Sequence, residues 1–196
     1  AAAALAAPRG AAAADEQAGG SSPYVDEAMG FSIDLPAGWE VGVGEISGDD
    51  FTPTRRAAGF YPSAYAGNDI NVSVVTQSIA ADFTSLGSFG DDYQWGFNIV
   101  QETDRSWKDP NDVRAELVDT KKKGDQYFVE YTVSLPGEYD RHLYSVAAIG
   151  NIPGRYNLLY TLSASVPTAL MGEYNDAVVA MVNSFKCTHP GTLVPV

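Results

Sequence analysis

The chain has 196 residues, 45% of them hydrophobic, with 11 Tyr, 8 Phe and a formal net charge of −13. That length and apolar content support one domain with a full core, and the aromatic content favours strands over an all-helical bundle. The acidic balance repels phosphates over most of the surface and excludes nucleic acid as a partner; the lone Cys187 excludes an intrachain disulfide and a Cys-x-x-Cys site, and no apolar run is long enough to span a bilayer.

Residues 1–14, AAAALAAPRGAAAA, carry too few large apolar side chains to form a core helix. Their small-residue composition reads as the end of a targeting peptide, cleavable near Ala14, and residues 17–23 read as a linker. Residues 1–23 are therefore assigned to this remnant and linker. Phe31, Ile33 and Leu35 alternate with Ser32 and Asp34, the pattern of a half-buried strand, and Pro36 with Gly38 ends it. Trp39 follows the turn, where its ring can cover one end of a core, and residues 39–43 continue extended. Gly42, Gly44 and Gly48 loosen the chain toward Asp49 and Asp50. A short strand over residues 57–61 is closed by Pro62, and Ile70, Val72 and Val74 mark a strand over residues 70–77.

Residues 91–101 read as a helix with Tyr93, Phe97 and Val100 on one side, acids in its first turn and Gly90 or Asp91 as its cap. After the turn residues Lys108, Asp109, Pro110 and Asn111, strands are expected over residues 113–121, 127–135, 142–149 and 155–163. Tight turns at Gly124, Gly137 and Gly154 separate them, which makes an antiparallel meander. A last helix is expected from Pro167, burying Leu170, Tyr174, Ala177, Val178, Met181 and Phe185 on one face. The sum is an α+β fold, an antiparallel meander flanked by helices, as a single domain over residues 24–186, with residues 187–196 as a C-terminal tail.

The order of an aromatic strand, a Pro-x-Gly-Trp turn (Pro36–Trp39), an Asn-x-Ser-Val strand (from Asn71) and an Asp-Phe-x-Ser-Leu-Gly loop (from Asp82) resembles the PsbP family. The resemblance runs over about residues 24–185. It implies an extrinsic protein of the chloroplast thylakoid lumen, peripheral on the lumenal membrane face, that docks on photosystem II beside its core subunits and other extrinsic proteins. Such a protein helps the oxygen-evolving centre retain calcium and chloride, and is a binding subunit, not an enzyme. The first alternative within the resemblance is an accessory or assembly subunit of photosystem I or an NDH complex. An alternative of another class is an enzyme or small-ligand carrier on the same scaffold. Residues 15–29 are acidic where family members use a docking segment ahead of the domain.

Catalytic motifs are thin. No Gly-x-Ser-x-Gly, His-Glu-x-x-His or phosphate-loop pattern occurs, so no small-molecule substrate is expected. Gly42, Gly44 and Gly48 imitate a dinucleotide fingerprint with one residue too many. The acids Asp49, Asp50, Asp91, Asp92, Asp109 and Asp112 lack EF-hand spacing and read as caps and turns. Asn71-Val72-Ser73 matches a glycosylation sequon but falls inside a strand. Cys187 and His189 together make only two ligands.

His142 shares a strand face with Tyr144 and Val146 and reads from the residues as a surface imidazole bonded to a neighbour. The resemblance adds a metal role, because Arg141-His142 matches a basic residue followed by His that has been linked to divalent metal binding. A weakly held calcium or manganese at His142 is the implied ligand, with no firmly bound cofactor. The acid expected near the end of the next strand is replaced by Ser163-Ala164-Ser165. Lys121, Lys122 and Lys123 form the one basic run in an acidic chain. As a hairpin tip they serve either to discourage edge pairing or to touch an acidic partner surface. Arg55 and Arg56 form a smaller patch, and Arg141 completes the expected docking set.

Overall fold

The computed structural model describes residues 20–46, 55–64, 69–151 and 157–187. Expectations resting on residues 1–19, on Gly48, Asp49 and Asp50, on the turn at Gly154, and on the tail with His189 lie outside the described residues. The elements are β1 (Ser22–Asp26), β2 (Phe31–Leu35), β3 (Trp39–Ile46), β4 (Arg55–Pro62), β5 (Asn71–Ile79), α1 (Asp92–Thr103), β6 (Arg114–Lys123), β7 (Gln126–Leu135), β8 (Tyr139–Asn151), β9 (Asn157–Pro167), α2 (Met171–Ser184) and β10 (Lys186–Cys187). They build a seven-stranded antiparallel sheet of order β3-β4-β5-β9-β8-β7-β6 and a small sheet of order β1-β2-β10. The expected meander is the half of the large sheet from β6 to β9, each strand pairing the next. At its first hairpin Gly124 takes φ 57°, the left-handed conformation that a two-residue loop requires.

Strand pleating divides the large sheet into two faces with different covers. On one face the directly opposed residues Ala58, Val74, Leu162, Val146 and Phe128 form a row across five strands. Phe31 and Ile33 of β2 and Val178, Met181 and Val182 of α2, together with Phe185, close over that row as the main core. Phe31, Phe60, Phe185 and Tyr160 are wholly buried there, each contributing about 1.5–3 kcal/mol through removal of apolar surface from water. The opposite face is covered over β6 and β7 by α1. Ala115, Val129, Tyr131 and Val133 pack there against Trp95, Ile99 and Val100.

α1 begins as expected, with the Asp91 side chain accepting from Gln94 N–H at 2.7 Å. Its buried side differs from the expected one. Gly96 lies against β6 so closely that a Cβ there would sit 2.7 Å from Thr120 Cγ2. Tyr93 and Phe97 stack on each other outside, Tyr93 being 60% exposed. Helical spacing alone favoured the aromatic stripe, whereas the sheet selected the side on which a glycine permits close approach.

Both ends of the described fold differ from expectation as well. Ser22 and Pro23, read as linker, begin β1, which pairs β2 from Ser22↔Leu35 to Asp26↔Phe31. Cys187, read as the start of the tail, pairs with Phe31 in β10. Pro167 ends β9 instead of opening a helix, and a single 3-10 turn, Thr168–Leu170, leads into α2. The β1–β2 hairpin is tied to the large sheet by two polar links. Asp26 pairs with Arg56 of β4 at 3.1 Å, and the Tyr160 hydroxyl of β9 donates to Met29 O.

Candidate docking surface

β8 carries His142 to the seam between the large sheet and α2. Its Nε2 lies 2.7 Å from Glu130 Oε1 on the neighbouring strand β7. The ring tilts against Tyr144, centroids 5.0 Å apart, and the Tyr144 hydroxyl donates to Asn175 Oδ1 of α2 at 2.7 Å. Burial, with help from the Glu130 charge, pushes the Tyr144 phenol up from its ordinary value, while the bond to Asn175 pulls the other way. The acid beside His142 therefore comes from the preceding strand, not from the end of the next one. Sequence reasoning looked for it in β9, and only the β7–β8 register reveals Glu130. Among the described residues no three His, Cys, Asp or Glu side chains converge to hold a metal ion.

Glu130 and Tyr144 also line a pocket of about 110 Å³ between β6, β7, β8 and α2, with Asp119, Lys121, Phe128 and Asn183. That is well below the roughly 300–1,000 Å³ of sites that enclose a small organic ligand.

The three consecutive lysines divide between the two faces of the sheet. Strand alternation puts Lys121 and Lys123 on the α2 side, opposite Phe128 and Gln126, and Lys122 on the α1 side, opposite Tyr127. Lys123 Nζ donates to Asn183 Oδ1 of α2 at 2.9 Å, and Lys121 Nζ lies 3.9 Å from Asp119. Lys122 instead reaches over the Tyr127 ring, 6.0 Å from its centre. All three remain exposed. Lys186 of β10, which sequence reasoning passed over, joins Lys123 in lining a second pocket of about 230 Å³ with Asp125, Gln126 and Cys187. Lys123 and Lys186, more than 60 positions apart, thus line one pocket, with Lys121 on the same strand face as Lys123 and with Asp119, Asp125 and Glu130 set among them. Local charge density gave no signal of it.

The expected arginines are placed differently. Arg56 is engaged with Asp26, whose side chain is only 2% exposed and which also accepts Met29 N–H at 3.0 Å. Arg55 opens β4 opposite Ile46, and its side chain lies outside the described part. Arg141 donates to Asp69 O at 3.0 Å and to Ser165 Oγ at 3.1 Å, bracing the end of β8 against β9 and the approach to β5. Cys187 is half-buried against the main core, and burial pushes its thiol up to about 12, which leaves little thiolate at neutral pH.

Residues 19–187 match the model of the PsbP family. The chain belongs to the PsbP family. A relative at 33% identity over 163 residues is a chloroplastic PsbP domain-containing protein 3 of Arabidopsis thaliana. The match covers 83% of this chain but 63% of that protein, so this PsbP-family chain spans less than two thirds of its relative's length. Among solved structures, cyanobacterial PsbP (CyanoP) from Synechocystis superposes with a TM-score of 0.59 at 20% identity, covering 92% of this chain and 99% of its own. The α+β sandwich expected from the sequence is thus the fold of the family. The yeast Ran-binding protein Mog1p, from Saccharomyces cerevisiae, scores 0.47 at 10% identity, over 88% of this chain and 97% of its own.

Proposed function

We propose that this PsbP-family protein is a non-catalytic accessory subunit, peripheral on the lumenal face of the thylakoid membrane. It docks on a photosynthetic membrane complex through the basic surface on its α2 side. The carrying observation is that Lys123 and Lys186 line one pocket, with exposed Lys121 on the same strand face as Lys123, on a chain of net charge −13. An acidic protein that must approach another acidic surface needs such a local exception to its own field. Family membership and the chloroplastic relative support the compartment and the class of partner. Among the described residues, His142 is held by Glu130 and burial keeps the half-buried Cys187 thiol protonated at neutral pH, which supports the non-catalytic reading.

Photosystem II is the proposed host, where the protein would cover lumenal loops and slow the escape of calcium and chloride. Likeness to a PsbP domain-containing protein supports a second reading, an accessory or assembly role at photosystem I or an NDH complex. A divalent cation, calcium or manganese, enters the proposal only as a weakly held visitor at the His142–Glu130 pair. Two protein ligands leave most of calcium's six to eight positions to water.

The test is mass-spectrometric co-migration with solubilised thylakoid complexes on native gels, before and after a salt wash. Migration with photosystem II, lost in salt together with oxygen evolution that added calcium and chloride restore, is the expected result. Migration with photosystem I or an NDH complex supports the second reading, and migration with no complex sinks both.

A further inference from the structure

The large sheet has two free edges, and they are treated in opposite ways. β6, at one end, carries the devices that keep an edge from pairing. Its register shifts at a bulge between Leu117 and Asp119, Arg114 and Lys121 to Lys123 put charge along it, and α1 lies against it through Gly96. β3, at the other end, has neither a bulge nor a covering helix among the described residues, and its charges, Glu40 and Glu45, are acidic. Its pairing with β4 runs unbroken from Trp39↔Pro62 to Ile46↔Arg55, with no bulge, proline or lysine. Among the described residues no strand lies on its outer side. Val41 and Val43 are 37% and 48% exposed on the face they share with Phe60 and Ala58, so an apolar core row continues to the edge and stops there unfinished.

Gly42 and Gly44, on the other face, take no positive φ. A Cβ at Gly44 would meet nothing within 4 Å, and one at Gly42 only the Tyr61 ring at 3.9 Å. The described fold thus has room for larger residues in β3, where glycine weakens a strand. Bare positions on an edge leave space for an arriving chain.

We propose that the outer edge of β3, over residues 39–44, is a strand-addition site. It takes an extended segment of a partner protein that carries lysine or arginine facing Glu40 and β-branched residues facing Val41 and Val43. Main-chain hydrogen bonds supply the affinity of such a site, and alternate side chains supply its selectivity. Charge decides the occupant. Glu40 is exposed, the whole chain carries −13, and two copies would bring that charge together, whereas a basic segment relieves it. This site lies apart from the lysine surface and does not depend on which complex hosts the protein.

The probe is a nine-residue peptide of alternating valine and threonine with one threonine replaced by lysine, and a twin with glutamate at that place. Both are titrated against the full chain, with amide hydrogen exchange followed residue by residue. The lysine peptide is expected to protect alternate amides of β3 and to bind about two- to fivefold more tightly than its twin, the range of one cross-strand charge pair. The exposed substitution Glu40→Lys should reverse that order while leaving the thermal midpoint in place. Four results would overturn the proposal: no protection of β3 at millimolar peptide, protection at β6 instead, an order that Glu40→Lys leaves unchanged, or protection that rises with protein concentration alone. The last would assign the edge to a second copy.

Discussion

The Asp26–Arg56 pair offers the sharpest test of how this fold holds its N-terminal hairpin. Asp26 is 2% exposed and Arg56 25% exposed, so the carboxylate depends on the guanidinium while water still reaches the arginine. Replacing Arg56 by methionine leaves a buried carboxylate with the Met29 N–H as a remaining donor. Breaking a fully buried pair from one side costs about 3–5 kcal/mol. Partial exposure and the surviving N–H reduce this to about 2–3 kcal/mol. For a chain of this size the thermal midpoint should then fall by about 4–12 °C. Urea unfolding of Arg56→Met, of Asp26→Asn and of the double variant would measure the pair directly. The double variant should be less damaged than the sum of the singles, with a coupling of about 1–3 kcal/mol. If Arg56→Met stays within about 0.5 kcal/mol of the parent, the range of an ordinary surface change, the guanidinium is not a structural tie. A salt-sensitive loss of docking with stability intact would then return Arg56 to the interface role expected from the sequence.

Gly96→Ala should cost about 1–3 kcal/mol through overpacking of α1 against Thr120, with a shift in tryptophan fluorescence from Trp95; an unchanged urea midpoint would show that the helix yields freely. The Cys187 thiol should resist iodoacetamide at pH 8 until the chain unfolds. Because its folded value is raised from 9.0 to about 12, its contribution to stability is intact below pH 9 and lost as pH climbs toward 12. The unfolded thiol ionises first, so unfolding free energy should fall by up to about 1.4 kcal/mol per pH unit, and Cys187→Ala should flatten that slope. Charge removal at Lys121 and Lys123 should weaken salt-sensitive retention on the membrane complex while Lys122→Gln alone leaves it near the parent level. Equal losses from all three would show that the run acts as one patch.

Much of the architecture was legible because period-two alternation survives wherever one sheet face is buried. Phe31, Ile33, Val72, Val74 and the run from Tyr127 to Leu135 all lie in strands with the expected faces inward. Failures occurred where a second rule competed with periodicity. Tyr93 and Phe97 made a convincing stripe, yet close packing chose Gly96. Ser22 and Pro23 looked like linker because strand edges tolerate polar residues and proline. At the candidate site His142 and the hairpin lysines were visible as residue types. Their partners Glu130, Asn183 and Lys186 were not, because each is brought in from another element.

The acidic character, the antiparallel meander, the amphipathic last helix and the resemblance that family membership bears out were all legible in the residue order. These follow from composition and short-range period, which a single strand or helix expresses on its own. Packing settled which side of each element faces inward, that Arg56 is engaged with a buried carboxylate, that three consecutive lysines divide between two faces, and that, among the described residues, α1 lies against one edge strand of the sheet while no strand lies outside the other. Those outcomes depend on register and on neighbours distant along the chain. A one-residue change of register moves every side chain to the opposite face, and local spacing does not encode which strand will lie alongside.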